Sequence, residues 1–480
     1  MSARTRELFG LVPVSLLVAA GFAAVLATRT DEIQEATLTY GLVFLGLCVV
    51  AHVFIRARLA DADPYLFPLA ALLAAIGLVL IYRIDPELAR EQAQWFVVGL
   101  ALFCATILAV RDHHVIERYR YTIAAASIAL LVMPRLPGIG GQVNGAFLAI
   151  ELGPIQFQPA EFAKLGIIVF LASYLRETGE ILLRSRLRPL PMQRQLLLFG
   201  VPALLVIAAI PLFDLGPAGS TLLVVFTGSL VAVLRERPSP KHFGPLLLVW
   251  GLAMLMLIFI RDLGSSLMFF GGFLALLYVA TGRLSLVGVG ATMFFAGSFF
   301  LARNVAHVQE RVDIWLDPFK RGVVDDEGYQ IAQSLFAQAD GGLFGQGFGQ
   351  ALLELPGGGT ILPAAHTDLV YAVLANEAGL FGAAGVIGAY LLFVFRGFKV
   401  GLMAGDGFSK LLAVGLTSVF ALQVFVIVGG VTRVIPLTGV TLPFVSYGGS
   451  SIVANMVLLA LLLIVSDHAR AERVRRGGLV

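Results

Sequence analysis

"QFQPAEFAKLGIIVFLASYL", residues 156–175, decides the fold. From Pro159 onward it is an apolar run suited to crossing a membrane, yet it carries a carboxylate and an ammonium, Glu161 and Lys164. Pro159 suits a first helical position, where a missing amide hydrogen costs nothing. Glu161 then lies in the first turn, and Lys164, three residues on, shares its face. A charge at the bilayer centre costs roughly 2.5–3.5 kcal/mol on insertion scales. Two readings are open. The pair is a helix-start carboxylate with a lysine reaching for the interface, or it lines a polar cavity with the lysine ready for an anionic ligand. The long polar stretch before it favours the second.

The rest of the chain has the same character. Of 480 residues, 58% are hydrophobic and 14% charged, with mean hydropathy +0.88; a soluble chain carries about 25% charge. The expected class is all-α and polytopic, with about 14 transmembrane helices. The spans fall at 8–27, 38–55, 65–82, 94–110, 120–133, 159–175, 196–212, 217–234, 243–260, 264–281, 285–302, 369–395, 411–430 and 441–465. Arg4 and Arg6 precede the first run, which reads as a spanning helix because no cleavage site and soluble domain follow it. A net charge of +3, with short Arg-rich stretches between apolar segments, argues against nucleic acid. Cys48 and Cys104 lie in apolar segments and read as packed thiols.

Lys and Arg collect on the cytoplasmic side of a membrane. With the N-terminus inside, the inner loops hold 23 of them and the outer loops 10. Both termini are then cytoplasmic, and the long stretches 134–158 and 303–368 face outward. The second is too long for an ordinary connection. It holds Asp313, Asp317, Asp325, Asp326 and Asp340 beside Arg303, Arg311, Lys320 and Arg321. Its "GGLFGQGFG" (341–349) lacks the strand and helix context of a dinucleotide site. The glycines instead let backbone fold back into the protein at membrane depth. His113 and His114 are adjacent on an inner loop and read as solvated.

Three more polar groups interrupt apolar sequence. "ILPAAHTDLVYAVLANEAG" (361–379) places His366, Asp368, Asn376 and Glu377 in or beside a span. Asp262 in "RDLGSSLMFF" precedes a helix, where a carboxylate suits the N-terminal dipole. The last span is expected to open with Ser446, Tyr447, Gly448, Gly449, Ser450 and Ser451; the glycines favour close packing, and Tyr447 and the serines suit a diphosphate or sugar.

Six stretches together resemble the SEDS (RodA/FtsW/SpoVE) family, on its RodA-like side. They are "NGAFLAIELGPIQFQPAEFAKL" (144–165), "DLGSSLMFFG" (262–271), "GYQIAQSL" (328–335), "GGLFGQGFG" (341–349), "LPAAHTDLVYAVLANEAGLFG" (362–382) and "TGVTLPFVSYGGSSIVANM" (438–456). The resemblance implies a ten-helix core over 61–466, with two extra helices in 1–60, a helix pair inserted at 196–234, the outer loop 303–368 and a basic cytoplasmic tail at 467–480. It implies an inverting peptidoglycan glycosyltransferase of the cytoplasmic membrane that polymerises lipid II for wall elongation and shape, beside a class B penicillin-binding protein. Mg²⁺ or Mn²⁺ on the diphosphate is compatible with it, and no organic cofactor is expected. Glu161, Lys164, Asp262, His366, Asp368, Glu377, Ser446, Tyr447, Ser450 and Ser451 become the expected substrate-binding set. Asn376 stands where the family usually has a glutamate. The family's loop aspartate falls on Arg321 here, so the catalytic base is expected among Asp325, Asp326 and Asp317. The rival class is a lipid II flippase or other carrier, since buried polar groups at helix starts also mark transporters.

The charge bias predicts that a cysteine introduced at Gly358 is labelled from outside the cell and one at Gly478 is not; the reverse pattern contradicts this topology.

Overall fold

The computed structural model describes residues 2–28, 34–136, 140–183 (save 144, 145, 153 and 154), 262–351, 353 and 361–475, with isolated positions between. Its helices are α1 (Ala3–Thr28), α2 (Gln34–Arg58), α3 (Leu66–Ile84), α4 (Pro86–Ala109), α5 (His114–Arg118), α6 (Arg120–Val132), α7 (Pro159–Leu183), α8 (Leu263–Thr281), α9 (Leu284–Asn304), α10 (Ala306–Leu316), α11 (Tyr329–Gly341), α12 (Val370–Met403), α13 (Gly407–Val431) and α14 (Gly449–Arg475). Among the described residues, eight helices are long and apolar enough to cross a membrane: α1, α2, α3, α4, α8, α12, α13 and α14. The expected spans 120–133, 159–175 and 285–302 coincide with α6, α7 and α9. Those at 196–212, 217–234 and 243–260, and so the expected helix-pair insertion, lie outside the described residues.

α3, α13 and α14 are the most enclosed spans, and α4, α7, α8 and α12 surround them. Phe67, Phe269, Phe273, Phe393, Phe408 and Phe420 fill the interior. α1 and α2 lie on the flank of α3 and α4 with much of their surface exposed. A buried polar network ties them in at one end: Arg4 pairs with Glu7 and donates to the Ala62 carbonyl, and Glu7 Oε1 lies 2.8 Å from His52 Nδ1. Next to it Asp63, fully buried, takes Arg470 at 2.6 Å and Arg396 through both oxygens. Breaking such a pair from one side is costly because an unpaired buried charge remains.

Several boundaries depart from hydropathy. α4 starts eight residues before the expected span, because Asp85 caps it by accepting from Glu87 N (2.8 Å) with Pro86 at its first position. Its first two turns are therefore polar and stand clear of the apolar segment. Hydropathy puts the start of the last span at 441, but α14 begins only at Gly449. Pro443 and Gly448 interrupt the helix, and the apolar residues 440–445 form a buried irregular segment with Phe444 at φ 65°. Backbone at that depth is tolerated because protein surrounds it: a Cβ on Gly77 of α3 would meet the carbonyls of Phe444 and Val445 at 2.5 and 2.6 Å. The polar stretch 134–158 is not a plain loop. It folds as an antiparallel meander, β1 (Gly140–Val143), β2 (Ala146–Leu152) and β3 (Ile155–Phe157), with a register shift at Gly141/Gln142. Cys48 is buried, Cys104 is half-buried, and both are free thiols.

Candidate active site

Lys164 begins the site. It is 2% exposed, and its Nζ donates to Glu161 Oε2 at 2.5 Å and to Gln423 Oε1 at 2.7 Å. Gln423 Nε2 in turn donates to the Thr441 carbonyl at 2.9 Å. The chain thus links the first turn of α7, the middle of α13 and the irregular segment before α14. Burial of this ion pair is possible because each charge has a hydrogen-bond partner. Two N–H bonds of the ammonium are used here, so it is fixed in place more firmly than a lysine waiting for a ligand.

Two more acids lie close by. Asp262 caps α8, accepting from Ser265 N at 2.9 Å, with its own carbonyl accepting from Ser266 Oγ at 2.8 Å. Burial raises its carboxyl above the usual range, while the Ser265 bonds and Arg311 pull it down. Asp368 is enclosed by protein but keeps some solvent access, as a cavity-lining group does. Burial lifts it to about 6 against the pull of Arg311. It takes up a proton as the pH falls through that value. Arg311 of α10 donates to the Leu437 carbonyl at 2.8 Å. Glu161, Lys164, Asp262, Asp368 and Arg311 therefore share one region at the start of α7, α8 and α12.

The remaining expected ligand residues are ties between segments. Ser446 Oγ donates to the Thr367 carbonyl (2.7 Å) and accepts from Leu442 N (2.9 Å). Tyr447 N donates to the His366 carbonyl (2.8 Å), the two rings meet edge-on at 5.8 Å, and the Tyr447 hydroxyl binds Glu91. Ser450 Oγ accepts from Gln158 N at 2.9 Å, and Ser451 Oγ from Asn455 Nδ2 at 3.2 Å. The hydroxyls of Thr438 and Thr441 and the Gln92 side-chain oxygen are buried with no partner among the described residues. All lie on or against the segment before α14. Such groups are places for water or a ligand.

Glu377 and Asn376 stand apart. Glu377, 2% exposed, pairs with Arg83 Nε at 2.8 Å. Arg83 Nη2 also donates to the carbonyls of Gly349 and Ala351, at 3.0 and 2.7 Å. Asn376 Nδ2 donates to the Ala337 carbonyl (2.8 Å) and Asp340 (3.3 Å). α12 is broken just beyond them at Gly379, φ 65° and ψ −169°. The glycine-rich loop docks into the break: Gln346 N and Gly347 N donate to the carbonyls of Asn376 and Glu377, and Leu380 N and Phe381 N donate to those of Gly342 and Leu343. A Cβ on Gly345 would meet the Glu377 carbonyl at 2.1 Å. Glycines here do fold backbone into the protein. Glu377 Oε1 and Asn376 Nδ2 are thus engaged, while Glu377 Oε2 and Asn376 Oδ1 are buried without a partner among the described residues.

Asp317, Asp325 and Asp326 are exposed on the turn between α10 and α11. The end of α10 is fixed by Arg433, itself at φ 60°: Trp315 Nε1 donates to its carbonyl (3.1 Å), and Arg433 donates back to those of Trp315 (2.8 Å) and Leu316 (2.5 Å). Asp317 ends α10 as a turn residue, its amide bonded to the Asp313 carbonyl at 3.0 Å. Sequence reasoning misses Arg83, Arg311, Arg433 and Gln423. Gln423 carries a signal, since it is the one amide in the apolar run 411–430.

The chain matches the family model for cell cycle proteins of the FtsW, RodA and SpoVE type over residues 64–234 and 210–471. It is 36% identical over 479 residues to a peptidoglycan glycosyltransferase RodA of Mycobacterium tuberculosis, covering 97% of this chain and 91% of that one. It is 27% identical to the stage V sporulation protein E of Bacillus subtilis, covering 85% and 98%. Among solved structures, a chain of a peptidoglycan synthase complex that coordinates polymerization and crosslinking superposes with a TM-score of 0.58 at 27% identity, covering 85% of this chain and 98% of that one. The rod shape determining protein RodA of Thermus thermophilus gives 0.50 at 26%, covering 84% and 96%.

Gly379→Ala should expel the glycine-rich loop, because the added Cβ falls 2.3 Å from Gly345 N and the positive φ disfavours any side chain. Limited proteolysis is expected to cut faster between 341 and 360 in this variant; an unchanged digest contradicts the docking.

Proposed function

This chain belongs to the FtsW/RodA/SpoVE family, and we propose that it polymerises lipid II into glycan strands at the outer face of the bacterial cytoplasmic membrane, for wall elongation and shape. It is a multi-pass membrane protein and a peptidoglycan glycosyltransferase. The observation that carries the residue-level reading is the buried Glu161–Lys164–Gln423 chain, with Asp262, Asp368 and Arg311 beside it under the outer stretch. A lipid-linked donor brings a diphosphate from the bilayer, and Lys164 and Arg311 are the cations held in this region.

The chemistry follows from those charges. The 4-hydroxyl of the acceptor sugar loses its proton to a base as its oxygen attacks the anomeric carbon of the donor. The bond to the diphosphate breaks with inversion, and the leaving group carries its charge away on the lipid. Lys164 and Arg311 stabilise that charge as it develops. The base is proposed among Asp325, Asp326 and Asp317, which are exposed on the turn between α10 and α11. Mg²⁺ or Mn²⁺, if used, would be held by diphosphate oxygens together with carboxylates such as Asp368. The enzyme is proposed to act with a class B penicillin-binding protein, in keeping with the synthase complex that its structural relative comes from.

Asp325→Asn or Asp326→Asn is expected to lower strand synthesis from labelled lipid II by at least ~10²-fold, with Asp317→Asn costing less, while lipid II binding persists. Normal synthesis by all three variants contradicts the assignment of the base. A purified wild type that makes no strands but moves lipid II across liposomes would replace the enzyme reading with a carrier.

A further inference from the structure

A second constellation lies at the far end of the molecule. α4 begins beside Tyr447 and ends near Asp112, and its 24 residues span roughly 36 Å. There, Asp112, His113 and His114 each offer one ligand atom, all within 4.8 Å of one another. They are the one such group among the described residues. His113 is not solvated, as its loop position suggests from sequence. It is 1% exposed, packed on Phe408 and edge-on to His468 with ring centroids 5.1 Å apart. Asp406 completes the surroundings, 3.5 Å from His114 Nε2.

The hydrogen bonds fix where the protons are. The Ser409 hydroxyl donates to Asp406, so its oxygen must accept from His113 Nε2, 2.5 Å away. In a neutral imidazole the other nitrogen then carries a bare lone pair. That nitrogen, His113 Nδ1, is buried and has no partner among the described residues. His468 is prepared the same way: its Nδ1 lies 2.9 Å from the Ile464 carbonyl, an acceptor only, which leaves Nε2 free to coordinate. His114 Nδ1 meets Asp112 Oδ1 at 2.9 Å. The nearby Arg176 is tied to Glu117 at 2.5 Å, so its charge is already met.

We propose that Asp112, His113 and His114, with Asp406 and His468 within reach, form a binding site for a divalent transition-metal ion, zinc by preference. Imidazole with carboxylate suits zinc over the oxygen-seeking alkaline-earth ions. Zn–N and Zn–O bonds near 2.0–2.1 Å put tetrahedral ligand atoms roughly 3.3 Å apart. Closing the present spacing to that needs rotation of the exposed Asp112 and the half-exposed His114, which exchange their mutual hydrogen bond for the ion. The ion would clamp the α4–α5 turn, the α12–α13 turn and α14 together at the end opposite the candidate active site.

The test uses full-length chain without a histidine tag, in nanodiscs, stripped with chelator and titrated with Zn²⁺. Co²⁺ serves as the spectroscopic substitute. One equivalent of Zn²⁺ is expected to bind and to raise the melting temperature, and Co²⁺ to show the absorption of a low-symmetry imidazole site. His113→Ala risks the fold because the ring is buried, so the decisive variants are His114→Ala and Asp112→Asn. Each should weaken binding roughly ten-fold or more, while His307→Ala, remote from the cluster, should not. Absence of a bound equivalent in the wild type, or unchanged affinity in both His114→Ala and Asp112→Asn, overturns the site.

Discussion

A buried ammonium needs acceptors, and the arrangement at this end of the molecule depends on meeting that need for Lys164. Glu161 supplies one from the same helix turn and Gln423 the other from α13. Because Gln423 has its remaining amide on the Thr441 carbonyl, the same chain fixes the irregular segment before α14. That segment holds Ser446 and Tyr447 against the residues leading into α12. It also receives Arg311 from α10. Positive charge is thus held by partners already in place, as the proposed stabilisation of a leaving diphosphate requires.

The stretch between α9 and α12 is attached by a second device of the same kind. α12 breaks at Gly379, and the carbonyls freed by the break accept from the glycine-rich loop. Arg83 and Glu377 lock that contact from the side of α3. Backbone that leaves a helix inside a membrane protein must find partners within the protein, and this loop supplies them. The glycines follow from the closeness of the two backbones.

Much of this is legible in the sequence and some is not. Apolar runs mark most of the described spans, because a helix is the cheapest way to satisfy backbone in lipid. The Glu161–Lys164 pair is readable from spacing three residues apart on one helix face. The start of α14 is not, because hydropathy does not distinguish a helix from a buried irregular segment such as 440–445; Pro443 is the signal. Arg83 and Arg311 cannot be placed from sequence, since their partners Glu377 and the Leu437 carbonyl are distant along the chain. The pairing of Glu377 with Arg83 is hidden from the sequence for the same reason. His113 reads as solvated because nothing near it in sequence announces Phe408 and His468 across from it.

The most direct measurement is strand synthesis from lipid II by the double variant Glu161→Gln, Lys164→Met. Both replacements are neutral and close in shape, so neither leaves an unpaired buried charge. The variant is expected to reach the membrane and melt near the wild-type temperature while making no glycan strands. Strands formed at the wild-type rate would show that the buried pair only holds the fold together, and would contradict the account given for Lys164.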